Sequence, residues 1–217
     1  MSFLSYLVNG LSLGSVYAII ALGYTMVYGI AKMLNFAHGD VIMIGGFVVF
    51  SCMSNLGLNG LLSLLIAMVF CTVLGVLVER IAYRPLRNAA SSLAVLITAI
   101  GVSYFLQNIA LLIFGADAKI FSPIVNLPNL QLFGDELSIS AITIITILTC
   151  IVIMIGLTLF IKKTRAGQAM QAVSEDKGAA QLMGVNVNAT ISLTFAIGSA
   201  LAAVAGALMC SAYPNLT

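Results

Sequence analysis

Long apolar stretches alternate with short polar segments along this chain, and their lengths predict a bundle of membrane-spanning helices. A helix needs roughly 20 apolar residues to cross a bilayer. Because lipid offers the backbone no hydrogen-bond partner, and because the strict alternation of a transmembrane β-barrel is absent from the sequence, these stretches are predicted to be α-helical. About six spans are predicted, at residues 3–31, 41–55, 61–78, 92–114, 138–161 and 191–212.

The composition supports a membrane location. Of 217 residues, 61% are hydrophobic and 7% are charged, whereas about 25% of the residues of a soluble domain are charged. So few charges exclude an ordinary soluble globule, a disordered chain and a nucleic-acid-binding protein with a basic face. We therefore expect a single all-α transmembrane domain over residues 1–217, with membrane lipid and no nucleic acid among its partners.

The charged residues predict the orientation of the spans. Eight of the nine Lys and Arg residues fall in segments 32, 80–87 and 162–177, whereas segment 115–137 carries three of the acidic residues and one lysine. Under the positive-inside rule, the basic segments lie in the cytoplasm and the acidic segment lies outside. We expect a multi-pass protein of the bacterial inner membrane with its N-terminus outside.

No pattern in the sequence indicates catalysis or a cofactor. The four cysteines lie in apolar runs without a C-x-x-C pair, and the chain has no P-loop and no arrangement of a nucleophile with a base. We expect no enzyme activity, no metal and no cofactor. Uphill transport would need energy from another chain or from an ion gradient.

Small residues recur every four positions in the sixth span. Gly198, Ala202 and Gly206 form one row, and such a row allows two helices to approach closely in lipid. We expect this face to be a helix-packing surface.

Polar side chains within or beside the spans indicate either a translocation path or structural contacts between helices. Asn35 is expected to cap the second helix, and Asp40 is favoured near a helix start. For His38, a structural turn competes with a proton-relay or ligand role. The complete candidate set is Tyr24, Asn35, His38, Asp40, Gln107 and Asn108.

Segment 164–188 combines a helical apolar face with a polar face. The pattern predicts one short helix, a break at Gly178 and a second short helix that ends at Gly184. The segment is too polar to span the membrane. It is either an interfacial helix that lies on the lipid or a docking element for a cytoplasmic partner.

Four stretches together resemble the permease subunits of branched-chain amino-acid ABC importers. They are residues 9–25, 34–40 (LNFAHGD), 79–87 (ERIAYRPLR) and 164–170 (TRAGQAM). The resemblance implies a second permease subunit, two cytoplasmic ATPase subunits and an extracytoplasmic solute-binding protein as partners. It also implies a chain that continues beyond Thr217, so we expect a C-terminally incomplete protein.

The resemblance further implies that segment 162–190 is the loop that couples the permease to its ATPases. Residues 178–184 (GAAQLMG) match the Glu-Ala-Ala-x-x-x-Gly pattern of the superfamily, with glycine in place of glutamate; Glu175 or Asp176 is the nearest acidic substitute. The residues implied to couple are Gly167, Met170, Glu175, Asp176, Ala179, Ala180, Leu182, Met183 and Gly184.

Two alternatives for function stay open at the level of sequence. One is an ABC permease for urea or another small polar solute. The other is a stand-alone secondary carrier or channel, which would need ionisable residues at bilayer depth. Only segment 32–40 could supply such residues.

Overall fold

The computed structural model describes residues 3–87, 92–117, 119–121, 130–132, 137–213 and 215–216, and these form a helical bundle. The eight α-helices are α1 (Phe3–Ala31), α2 (His38–Leu56), α3 (Gly60–Val78), α4 (Ser92–Phe114), α5 (Ala141–Lys163), α6 (Arg165–Glu175), α7 (Lys177–Leu182) and α8 (Val187–Ala212). Six of them, α1 to α5 and α8, are long and apolar enough to cross a membrane.

The predicted helical spans are confirmed, with shifted ends. Helix α2 begins at His38, three residues before the predicted start, and α8 begins at Val187, four residues before its predicted start. The fifth span begins at Ala141, because residues 138–139 belong to a strand. Four short antiparallel strands, β1 (Lys119–Ile120), β2 (Leu130–Leu132), β3 (Leu137–Ile139) and β4 (Asn215–Leu216), pair β1 with β4 and β2 with β3.

Helix α8 is the centre of the bundle. It packs against α1, α2 and α3, and 67% of its most apolar stretch is buried, against 6% for α5. Glycines bring the backbones together: a Cβ added at Gly206 would collide with the carbonyl oxygen of Ile42, and one added at Gly45 would lie 2.8 Å from the Cα of Ala203. In lipid, such close approach is a main source of helix association.

Helix α3 continues past its apolar stretch into a π-helical turn, Glu79–Tyr83, and a 3₁₀ turn, Arg84–Leu86. Pro85 lies in the 3₁₀ turn and cannot donate a helical hydrogen bond. The two turns place the side chains of Glu79, Arg84 and Arg87 at the same end of the bundle as the start of α8.

Each of the two short helices begins at a residue whose side chain caps it. Thr164 Oγ1 accepts a hydrogen bond from Gly167 N at 3.0 Å and starts α6. Asp176 Oδ1 accepts from Gly178 N at 2.7 Å and from Ala179 N at 3.1 Å, and starts α7. The break predicted at Gly178 was therefore wrong by two residues, because the carboxylate of Asp176 is the stronger helix-start signal. Helix α7 ends at Leu182, and Gly184 follows with a φ of 84°.

Candidate functional site

Helix α2 begins at a depth well inside the bundle. A Cβ added at Gly23 would lie 3.1 Å from the His38 ring and 3.2 Å from Gly198 O. Gly23 is eight residues before the end of α1, and Gly198 is eleven residues after the start of α8. At 1.5 Å per residue, His38 lies beside points about 12–16 Å along these helices from their ends, so α2 begins deep between α1 and α8.

The link between α1 and α2 is non-helical and partly buried. Lys32 adopts a left-handed conformation with a φ of 55°, and Met33, Asn35 and Ala37 are then buried. Asn35 does not cap α2: the N-cap is Ala37, which makes no side-chain hydrogen bond. The amide oxygen of Asn35 instead accepts from the Tyr83 hydroxyl at 2.9 Å. Non-helical backbone at membrane depth is tolerated where protein buries it or where it lines a cavity.

Asp40 lies in the first turn of α2 and faces α4. Its Oδ1 atom accepts from Gln107 Nε2 at 2.9 Å, and its Oδ2 atom is buried without a hydrogen-bond partner among the described residues. The residue is 7% exposed. The amide of Gln107 and the N-terminus of α2 both stabilise a carboxylate there.

His38 lies on the side of α2 that faces α1. Its ring makes an edge contact with the Tyr24 ring at a centroid distance of 6.0 Å. The Nε2 atom is buried and has no partner within the described part of the chain. Five of the candidate residues therefore lie around the link and the start of α2, on two sides of that helix. They are Tyr24, Asn35, His38, Asp40 and Gln107.

Helix α4 exposes polar groups within its span. Gln107 is exposed fifteen residues after the start of α4 and also contacts Ser103 Oγ at 3.2 Å. Asn108 is exposed as well, and its Nδ2 donates to Tyr104 O at 2.7 Å within the same helix. Amides at bilayer depth are costly against hydrocarbon, so this face of α4 is suited to a wet path or a protein partner.

A second polar cluster surrounds Glu79, which is completely buried. Its carboxylate forms ion pairs with Arg84 at 3.4 Å and with Arg87, and its Oε2 atom accepts from Ser192 Oγ at 2.6 Å. Arg87 also donates to Asn188 Oδ1 at 2.7 Å. The cluster therefore ties the end of α3 to the first turns of α8. Burial lowers the pKa of the Arg87 guanidinium, with Glu79 acting in the opposite direction.

Lys177 connects α7 to α1. Its Nζ atom donates to Ala31 O, the last residue of α1, at 2.7 Å. The pKa of Lys177 lies below its ordinary value, first because burial disfavours the charged ammonium and then because Arg87 and Lys32 repel it. A cation at the end of a helix also compensates the partial negative charge of its last carbonyls.

Helices α6 and α7 have an inner and an outer side. Gly167, Met170 and Ala180 are buried, and a Cβ at Gly167 would collide with the backbone of Phe160 and Ile161. Glu175, Asp176, Ala179 and Gly184 are exposed. Leu182 and Met183 are 89% and 84% exposed. Of the residues that the resemblance implied for coupling, Leu182 and Met183 are the large apolar side chains available to a partner.

The row predicted for helix packing lies in the core of α8, where Gly198, Ala202 and Gly206 are all buried. Gly198 faces α1: a Cβ there would lie 2.8 Å from Val27 Cγ2 and 3.3 Å from Gly23 O.

The sequence did not single out Glu79, Tyr83, Lys177 or Ser192. The one available signal was the acidic residue directly after an apolar span, among three arginines. No group of three or more metal-binding side chains occurs in the described ranges.

The comparisons with known proteins identify the family of the chain. Residues 6–215 match the model of the branched-chain amino acid transport system permease component. This chain belongs to that family. It is 44% identical to the high-affinity branched-chain amino acid transport system permease protein BraD of Pseudomonas aeruginosa, over 95% of this chain and 70% of BraD.

Two further relatives carry similar names. The permease LivH of Escherichia coli is 43% identical over 95% of this chain and 70% of its own length. A probable LivH of Methanocaldococcus jannaschii is 30% identical over 88% of this chain and 61% of its own length. No solved structure matches the chain. The family and the six apolar helices make this permease a multi-pass inner-membrane protein.

Proposed function

We propose that this permease is the transmembrane subunit of an ABC importer that moves branched-chain amino acids into the cytoplasm. Two ATPase subunits drive it, a second permease chain pairs with it, and an extracytoplasmic binding protein delivers the cargo. Residues 1–217 act as one permease domain, and segment 162–190 is its coupling loop. The names and family of the relatives support the cargo and the type of system.

The observation that carries the proposal is the exposed apolar tip of α7. Leu182 and Met183 project from a helix that Asp176 caps and that Ala180 anchors in the core. Large apolar side chains that protrude from a polar, well-fixed segment are typical of docking contacts. They lie at the basic end of the bundle, which the positive-inside rule predicts to face the cytoplasm.

The proposal is tested by purification of the permease with its candidate ATPase. We expect the double variant Leu182→Asp/Met183→Asp to retain about a tenth or less of the bound ATPase, because it removes the two protruding apolar contacts. The matched control, Leu182→Met/Met183→Leu, keeps both apolar side chains and is expected to bind normally. Full ATPase binding by the double aspartate variant would contradict the role of the tip.

A further inference from the structure

The start of α2 combines three features that together indicate a ligand. It is a helix N-terminus deep within the bundle, a non-helical link precedes it, and the buried Asp40 beside it has one carboxylate oxygen without a partner in the described structure. In transporters, interrupted helices place such termini and their unpaired polar groups at the substrate path. The unpaired oxygen is an independent observation, because a helix start alone needs no ligand.

The site is open towards one face of the molecule. Gly39, in the first turn of α2, is exposed, and so are Leu34, Phe36 and Gln107. The first N–H groups of a helix lack intrahelical partners, and the N-cap residue Ala37 supplies no side-chain acceptor. The exposed face therefore presents one backbone donor at Gly39, a carboxylate behind Gln107 and two apolar side chains.

We propose that this site binds the zwitterionic backbone of an α-amino acid during transport. The ammonium group donates to Asp40, the carboxylate accepts from the N–H of Gly39 in the first turn of α2, and the aliphatic side chain lies against Leu34 and Phe36. The inference rests on the proposed function, which supplies the class of cargo.

Gln107 is the group that the ammonium displaces. Its Nε2 atom already donates to Asp40 at 2.9 Å, so an amide N–H holds the place that a substrate N–H would take. Because Gln107 is exposed and its side chain is flexible, it can rotate away and let an ammonium form stronger, charge-assisted hydrogen bonds. The pair thus satisfies Oδ1 when no cargo is bound and leaves Oδ2 without a partner in the described structure.

The test uses the complete importer, with both permeases, the ATPases and the binding protein, reconstituted in vesicles. Leucine uptake and ATP hydrolysis are measured together for the original complex first. Failure of this complex to take up leucine would overturn the proposed function itself. If it transports, the variants decide the binding site.

Asp40→Asn and Gly39→Pro each remove one half of the site. Asparagine keeps the shape of Asp40 without the charge, and proline deletes the N–H of Gly39, which in the first helical turn has no intrahelical partner to lose. We expect each variant to lower leucine uptake per ATP about tenfold, as for the loss of a hydrogen bond to a charged group. ATP hydrolysis stimulated by the loaded binding protein should stay within about twofold, and Asp40→Glu should restore part of the uptake.

Two controls match these variants. Gly156→Ala changes a glycine of α5, outside the proposed site, where an added Cβ meets nothing within 4 Å. Thr158→Val removes a polar group from the exposed surface of α5. Both should transport normally. Unchanged uptake per ATP in Asp40→Asn and Gly39→Pro would overturn the proposal. Loss of stimulated ATP hydrolysis in both would also overturn it, in favour of a purely structural role.

Discussion

At the scale of single residues, the most heavily engaged charge in the described part of the chain is Glu79. Its fully buried carboxylate forms ion pairs with two arginines and accepts a hydrogen bond from a serine hydroxyl. A buried carboxylate survives only when such partners replace its lost hydration. Its role is therefore to hold α3, the turns that follow it and α8 in one arrangement.

We predict that Glu79→Gln destabilises the permease. The change leaves Arg84 and Arg87 without their counter-charge, and breaking a buried ion pair costs on the order of 3 kcal/mol. That corresponds to a fall of roughly 6–12 °C in the unfolding midpoint. A thiol-reactive fluorogenic dye can follow unfolding in detergent, because Cys52, Cys71 and Cys150 are buried in the folded chain.

The control for this prediction is Glu175→Gln, the same chemical change at an exposed position of α6. Its unfolding midpoint should stay where it is. An equal fall in the unfolding midpoint of both variants would show that the ion pairs and the hydrogen bond of Glu79 do not stabilise the fold.

Residue roles were the part that sequence reasoning recovered least. The polar residues around His38 and Asp40 are conspicuous beside apolar spans, and their role in a translocation path stays a prediction. Asn35 was expected to cap α2, but it accepts a hydrogen bond from Tyr83, which is 48 positions away. Contacts of that range depend on how helices pack, and a local pattern does not contain that information.

At the scale of elements, glycine contacts determine which helices meet and how closely. Glycines with no space for a Cβ occur where α8 crosses its neighbours, whereas Gly101 and Gly156 have nothing within 4 Å of such an atom. A larger residue in place of glycine is therefore expected to disturb helix packing in α8 but to be accommodated at Gly101 and Gly156.

We predict that Gly206→Ala destabilises the bundle by about 1–3 kcal/mol, because the new methyl group overpacks against the backbone of α2. Gly156→Ala, on α5, should be neutral or slightly stabilising, because alanine is the better helix former and no neighbour obstructs it. Thermal unfolding of the two variants in detergent checks both signs. Equal stability of the two proteins would contradict the close α2–α8 approach.

Sequence periodicity and length were sufficient to predict the helical spans, since both are local properties. They were insufficient for the depth at which α2 begins. The predicted start at residue 41 was near the observed His38, but no local pattern indicates that the link before it is buried. Its burial follows from the contacts of His38 with Gly23 and Tyr24, which are features of the assembled bundle.

At the scale of the whole molecule, the docking tip and the proposed amino-acid site are joined through the frame of the bundle. Helix α7 holds the end of α1 through Lys177, and α1 contacts His38 at the start of α2 through Gly23 and Tyr24. A movement of α7 can therefore be transmitted along α1 to the membrane-spanning helices. Rigid helices and discrete contacts of this kind can carry coupling between distant sites.

We predict that Lys177→Met weakens this coupling while the complex stays assembled. Leu182 and Met183 are untouched, so the ATPases should bind and hydrolyse ATP, but α1 loses the hydrogen bond that α7 makes with its last residue. Uptake per ATP in reconstituted vesicles should fall several-fold. Lys163→Met removes the same charge from an exposed position at the end of α5 and should leave the ratio unchanged. Wild-type uptake per ATP in Lys177→Met would show that α7 acts on the membrane helices by another route, such as its direct contact with α8 or the contacts of α6 with α1 and α8.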